Sequence, residues 1–261
     1  VQGTENDHIQ ASGRGDNKLI RFQGAASVNI GGDVKLEYID SNSGLIFVHE
    51  VDNEVSFGDI ALNHIKIDAQ QAAVKLGDDT DEAFSLTTGD ISVRDLSYVE
   101  ADRYQFGVVV SRVSDASVGS IYVDGITYGE TTGYTSGQVR NDSGGIKIQS
   151  TTFADTLSTL TAKNITSNDT DTRLGYTGIN MANSTASAAR VVVDSIQSKG
   201  ETITTEGLSL TSSILGYGSV LVNNITSGGD AYGLQTSGSS TLTGLADTDQ
   251  LSLIHISEPT R

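Results

Sequence analysis

One arrangement of hydrophobic and polar positions recurs along the chain: a small residue, a polar one, then apolar, any, apolar, any, any, apolar. It reads GDVKLEYI from Gly32, GDIALNHI from Gly58, GDISVRDL from Gly89, GSIYVDGI from Gly119, STLTAKNI from Ser158, ARVVVDSI from Ala189 and GSVLVNNI from Gly218. A second pattern alternates strictly with the first, a Gly followed by an apolar residue and another two positions on. Its copies are GLIF from Gly44, GVVV from Gly107, GIKI from Gly145, GINM from Gly178 and GLSL from Gly207, with weaker forms AVKL from Ala73 and GLQT from Gly233. Successive copies of the first pattern lie 26, 31, 30, 39, 31 and 29 residues apart. The stretch from the second pattern to the next first one varies little, and the stretch from first to second varies widely. Variation is therefore confined to one corner of the repeat.

Each apolar-any-apolar trio places two side chains on one face of a strand, and the third apolar residue, three positions further on, breaks the period of two. A strand that turns a corner within two residues while keeping the next apolar side chain inside explains that break. Asp, Asn, Ser, Gly and His recur in the intervening pair, as a tight turn prefers. A unit of about 30 residues with several short strands, repeated seven times, is what a parallel β-solenoid requires. With coils about 4.8 Å apart, seven of them make a rod on the order of 35 Å long. The expected fold class is all-β, a right-handed parallel β-helix of about seven coils, whose stacked core contains Val34, Leu36, Ile91, Val93, Ile121, Val123, Val191, Val193, Val220 and Val222. The Gly heading the first pattern predicts a left-handed or crowded turn. A phosphate-cradling role would need a helix after it, and none is predicted.

Composition agrees with many short strands: 29 Gly, one Pro, no Cys and no Trp in 261 residues. The formal charge of −17 argues against nucleic acid and anionic membranes as partners, because the 16 Lys and Arg are scattered. No run of eighteen apolar residues exists, so no membrane-spanning helix is expected. Absence of Cys fits an exported protein and a reduced cytosol equally. The chain starts at Val1 without a charged or apolar leader, which predicts a signal peptide either removed or outside this stretch.

The repeats VNNITSGGDAYGLQTSG (222–238) and AKNITSNDTDTRLGYTGINMANS (162–184) resemble the coils of right-handed parallel β-helix proteins. The resemblance covers roughly residues 26–240. Among such proteins the acidic, Gly/Ser/Thr-rich, Cys-free coils look most like secreted or surface adhesin regions of Gram-negative bacteria, including autotransporter passengers. That implies export and a structural or adhesive role at the cell surface. Pectin-lyase-like polysaccharide enzymes and phage tail-spikes share the helix, so a polysaccharide-active enzyme is the alternative. Asn164 and Asn224 share one turn position, but Tyr38, His64, Asp95, Gly125 and Ser195 occupy it elsewhere, so no full Asn ladder is expected.

A binding surface should lie where coils differ on a constant scaffold. The variable corner carries SYVEADRYQF (97–106), TYGETTGYTSGQVRNDSG (127–144) and TSNDTDTRLGYT (166–177). Its Tyr98, Tyr104, Tyr128, Tyr134 and Tyr176, beside Arg103, Arg140 and Arg173, are the candidate ligand-binding residues, with a glycan or a cell-surface protein as partner. The competing reading packs these rings beneath their own loops. The acidic clusters Asp78, Asp79, Asp81, Glu82 and Asp169, Asp171 have oxygens suited to Ca²⁺ but neither the EF-hand loop nor the Gly-rich nonapeptide, so a solvated turn fits better. No other cofactor is expected. GRGDN (13–17) contains a tripeptide that integrin ligands display, a match short enough to arise by chance. For acid–base chemistry Asp40, Asp68, Asp90, Asp95, Asp124 and Asp194 recur at turn positions, which favours a structural role. His8 and His49 have no metal spacing, and His64 reads as a turn residue. No catalytic constellation emerges.

The last eleven residues, LSLIHISEPTR (251–261), hold the single proline. Back-translated, they resemble a transposase-type sequencing adaptor read in frame; they are read as matching neither pattern and are expected to be irregular or only weakly attached, with LSLIHI lying along the last coil as the alternative. The division is a lead-in or partial coil (1–25), the β-helix (26–250) and this tail (251–261).

Overall fold

A computed structural model describes residues 9–11, 19–77, 83–101, 104–130, 140–169, 174–200, 204–246 and 250–257. They form eighteen strands: β1 (Ile9–Ala11), β2 (Ile20–Asn29), β3 (Val34–Ser41), β4 (Ile46–Ser56), β5 (Ile60–Ile67), β6 (Val74–Leu76), β7 (Phe84–Tyr98), β8 (Phe106–Ser111), β9 (Val113–Tyr128), β10 (Arg140–Gln149), β11 (Thr152–Ser167), β12 (Leu174–Ala182), β13 (Thr185–Ser198), β14 (Thr205–Thr211), β15 (Ile214–Thr226), β16 (Ala231–Ser237), β17 (Thr241–Gly244) and β18 (Gln250–Ser257). Most strands pair in parallel with the strands about one coil before and after them, as β9 does with β7 and β11. This is a parallel β-solenoid of about seven turns. Pairing begins at β1, where Ile9 lies opposite Ile39, and at β2, where Ile20 lies opposite Ile46.

Each turn has three sides. The first pattern makes one side and the second pattern the next, and the return to the following coil makes the third, continuous with the next first side in β7, β9, β11, β13 and β15. Parallel strands buried on one face favour β-branched residues in register. Leu36, Leu62, Val93, Val123, Ala162, Val193 and Val222 form one buried column, in which the four valines follow that preference.

Two corners are made by single residues in the left-handed region. Tyr38, His64, Asp95, Gly125, Asn164, Ser195 and Asn224 have φ from 49° to 82° and stack in one column within the first pattern. The reversal puts the next residue, Ile39, Ile65, Leu96, Ile126, Ile165, Ile196 or Ile225, back into the core, which accounts for the three-residue step. Gly24, Glu50, Arg112, Ser150, Asn183, Ser212 and Gly238 form the second column, between the second and third sides. Of the twelve non-glycine residues with positive φ among the described residues, eleven stand in these columns and the twelfth is Tyr104. Each such residue costs about 1–2 kcal/mol, offset by the inter-coil hydrogen bonds that the corner keeps in register.

At Gly58, Gly89, Gly119 and Gly218 the Gly heading the first pattern owes its place to crowding, not to handedness, whereas a Cβ on Gly32 would meet nothing within 4 Å. Asp33 Oδ1 accepts the Asp59 N–H at 2.9 Å and Asp59 Oδ1 accepts the Asp90 N–H at 2.8 Å. A Cβ on Gly58, Gly89 or Gly119 would strike the carboxylate of Asp33, Asp59 or Asp90, and none of these glycines has a positive φ. The Gly-Asp dipeptide is thus half of a coil-to-coil contact. The second-pattern glycines Gly107, Gly145, Gly178 and Gly207 face the other way, into the core: a Cβ on Gly178 would lie 2.6 Å from Val193 Cγ1 and 2.7 Å from the Gly207 carbonyl oxygen.

Residues 250–257 require a correction. Leu251, Leu253 and Ile256 have the spacing of the first pattern, and β18 pairs with β15 so that Val220 faces Leu251, Val222 faces Leu253 and Ile225 faces Ile256. The final coil exposes a row of backbone donors and acceptors, and a segment with this apolar spacing satisfies it whatever the origin of its codons.

Gly178→Ala should destabilise the solenoid by about 1–3 kcal/mol, because neither the Gly207 backbone nor the Val193 side chain has room to withdraw. Urea unfolding followed by circular dichroism measures it. Gly31→Ala, where a Cβ would meet nothing within 4 Å, should have an effect of at most about 0.5 kcal/mol.

Candidate functional site

On the second side, residues between inward positions point outward and line up across coils. The column runs Arg21, Phe47, Lys75, Val109, Lys147, Asn180, Ser209, Gln235. Its first five members border a groove of about 490 Å³. Ala72, Phe106 and Val109, a small buried cluster of their own, make the apolar floor. Phe47 rises as one aromatic wall. Tyr104, whose residue is 45% exposed, rises as the other from the loop before β8.

Cations flank both walls. The Arg21 guanidinium lies 5.9 Å and Lys75 Nζ 5.4 Å from the Phe47 ring centre, and Lys147 Nζ lies 6.0 Å from Tyr104 and 5.8 Å from Phe106. These are cation–π distances. Amides complete the rim: Gln70, Gln71 and Gln149 line it, and Gln71 Oε1 accepts bonds from Ser43 Oγ at 3.2 Å and Gly44 N at 3.1 Å. His49 Nε2 sits 2.9 Å from Glu50 Oε1 at the edge. Tyr104 is held at φ 64°, a conformation worth about 1–3 kcal/mol of strain that concentrates at functional sites.

The residues expected from the variable corner divide. Tyr98, Tyr128 and Tyr176 stand inside the solenoid with no exposed surface. Tyr98 and Tyr128 stack at 5.2 Å and 5° between planes, and Tyr176 follows Tyr128 at 4.9 Å and 48°. The phenols of Tyr98 and Tyr128 bridge the corner from within. Tyr98 donates to the Phe106 carbonyl at 2.8 Å, and Tyr128 to the Gln105 and Gly144 carbonyls at 2.8 and 2.9 Å. Where the first-side column changes from Tyr98 and Tyr128 to Ser167, the Tyr176 ring enters from β12 and packs on Tyr128. Tyr104 faces solvent in the groove. Arg103, Tyr134 and Arg173, and the side chain of Arg140, lie outside the described residues.

Asp78, Asp79, Asp81, Glu82, Asp171, His8 and GRGDN also lie outside them. Asp169 departs from the solvated turn expected of it: it is 1% exposed, with its N–H donating to Ser167 Oγ at 3.1 Å. Among the described residues no group of three or more His, Cys, Asp or Glu gathers to hold a metal, and no helix is long and apolar enough to cross a membrane. His64 occupies the left-handed corner column, stacked on Tyr38 at 4.7 Å.

The recurring acids brace coils. Asp124 accepts bonds from Tyr122 Oη at 2.7 Å and Asn164 Nδ2 at 2.6 Å, with Lys163 Nζ at 3.2 Å. Burial alone would raise its pKa, but the bonds from Tyr122, Asn164 and Lys163, with the Lys163 charge, hold the carboxyl below its ordinary value. Asn224 Nδ2 repeats the bond to Asp194 at 2.9 Å. Both corner asparagines therefore donate to an acid on the preceding coil.

No protein-family model matches the chain, and no curated protein and no solved structure matches it.

The groove residues Arg21, Phe47, Lys75 and Lys147 escaped the sequence reading, which concentrated on apolar positions and long loops. In the copies from Ala73, Gly107 and Gly145 the signal lay in the residue between the two apolar positions, Lys75, Val109 and Lys147; Phe47 joins them because the copy read from Gly44 is shifted by one residue, Ile46 and Val48 pairing with Val74 and Leu76. It becomes a surface only once those strands stack.

Burial holds the Tyr98 and Tyr128 phenols well above the usual tyrosine value, reinforced at Tyr128 by the neighbouring Tyr98 and Tyr176. The folded chain keeps protons that the unfolded chain releases near pH 10. Their stabilisation is complete below that pH and declines as pH rises above it. In an alkaline titration, at least two of the nine tyrosines should form phenolate only together with loss of the β-sheet circular dichroism signal. Nine tyrosines ionising while the sheet signal persists would contradict the buried stack.

Proposed function

We propose that this chain is the shaft of a secreted or cell-surface structural protein of adhesin type, and that its second side, with the adjoining loop corner, binds a carbohydrate. The observation that carries the reading is the placing of two partly exposed aromatic walls, Phe47 and Tyr104, about an apolar floor, with three glutamine side chains on the rim. Flat rings take the C–H faces of sugars, and amides take their hydroxyls. The solenoid suits the role because each coil contacts only its neighbours, so outward residues and corner loops vary without disturbing the core. Tyr104 is common to the groove and to the corner that contains Tyr134, and the proposal extends to Arg103, Arg140 and Arg173 as further ligand contacts from that corner.

A glycan array with the purified chain tests this. Bound glycans should lose about tenfold or more in affinity in Phe47→Ala and Tyr104→Ala, the equivalent of ~1.4 kcal/mol or more, with unfolding midpoints within a few degrees of the parent. The absence of any bound glycan, or equal binding by the variants, would remove the reading. Release of reducing ends from a bound polysaccharide would replace it with an enzymatic one.

A further inference from the structure

We infer that the ligand of this groove is an anionic oligosaccharide bearing a uronate carboxylate on alternating sugars, laid along the solenoid axis. The inference rests on the carbohydrate-binding reading and specifies its ligand. The chain carries a formal charge of −17, yet the five outward positions of the groove are Arg21, Phe47, Lys75, Val109 and Lys147, three cations and no carboxylate. Clustering positive charge against the protein's own net charge is what an anionic ligand calls for.

The spacing adds geometry. Arg21, Lys75 and Lys147 occupy alternate coils, so successive cations are two strand spacings, about 10 Å, apart. That is of the order of one disaccharide along an extended sugar chain, so a carboxylate on every second sugar meets a cation each time. Between the cations stand Phe47, a wall of the groove, and Val109, buried in its floor, so the intervening sugar rings meet apolar lining one coil from a charge on either side. Arg21 offers a planar fork suited to a carboxylate, and the lysines serve as point charges. An acidic peptide would satisfy the charges, but it would leave the amide rim of Gln70, Gln71 and Gln149 and the aromatic wall of Tyr104 without matched hydroxyls and ring faces.

Titration calorimetry on the 261-residue chain tests the assignment with a hyaluronan octasaccharide, a neutral chitin oligosaccharide of equal length, a sulfated galactan oligosaccharide free of uronate, poly-glutamate and a single-stranded oligonucleotide. The hyaluronan fragment should bind at least about tenfold more tightly than any other probe and weaken as salt is raised. In the Lys75→Gln/Lys147→Gln double variant its affinity should fall by about tenfold or more, with the neutral oligosaccharide and the unfolding midpoint unaffected. Lys66→Gln, an exposed lysine on the first side, should change neither. Equal binding of neutral and uronate sugars would overturn the anionic assignment and leave the carbohydrate-binding reading standing. Tighter binding of the sulfated sugar, poly-glutamate or the oligonucleotide would overturn the uronate. If no sugar binds, the carbohydrate reading fails with it.

Discussion

Every coil of this protein surrenders its backbone N–H and C=O groups to the coils before and after it, and the rest of the structure follows from that pairing. A parallel ladder fixes register to the residue, since a one-residue slip would carry each apolar column to the outside. Register in turn requires that every coil bend at the same points. The two columns of left-handed residues are the devices that do so: His64, Asp95, Asn164 and Asn224 are among the residues that enter this region most readily, while Tyr38, Glu50 and Arg112 show the ladder imposing the conformation on residues that do not favour it.

Given fixed register, each column becomes a small packing problem with its own solution. The Gly-Asp pair at the head of the first pattern solves one by placing a carboxylate of one coil over the glycine of the next. The inward glycines of the second side solve another, because first-side side chains such as Val193 fill the space a Cβ would need. At the variable corner Tyr98 and Tyr128 span the interior and bond the far backbone. Tyr176 packs on Tyr128 from β12 where the column turns to serine. Loop length thus varies outside a corner whose interior is tied by phenols.

The same rule produces a surface. Outward residues on successive coils are brought within about 5 Å of one another, so five short strands distant in sequence set Arg21, Phe47, Lys75, Val109 and Lys147 side by side. A local concentration of cations arises in an acidic protein without any local run of basic sequence. Charge scattered along the chain is not charge scattered over the fold.

The sequence by itself determined the architecture. Two alternating apolar patterns, a repeat near 30 residues and a three-residue step in an otherwise two-residue period suffice to place the strands, one corner and the core columns, because each is a local property repeated many times. The step at Leu36 to Ile39, for example, announces its corner without any knowledge of partners. The second left-handed column, the inward turn of three of the corner tyrosines, the carboxylate over three of the heading glycines and the cationic groove were decided by tertiary structure alone. Each depends on which residue of one coil meets which residue of the next, a relation across 26 to 39 residues that no short pattern contains. For the same reason the tail segment 251–256 looked foreign as sequence and yet fits the last edge, since an edge reads only apolar spacing and backbone donors.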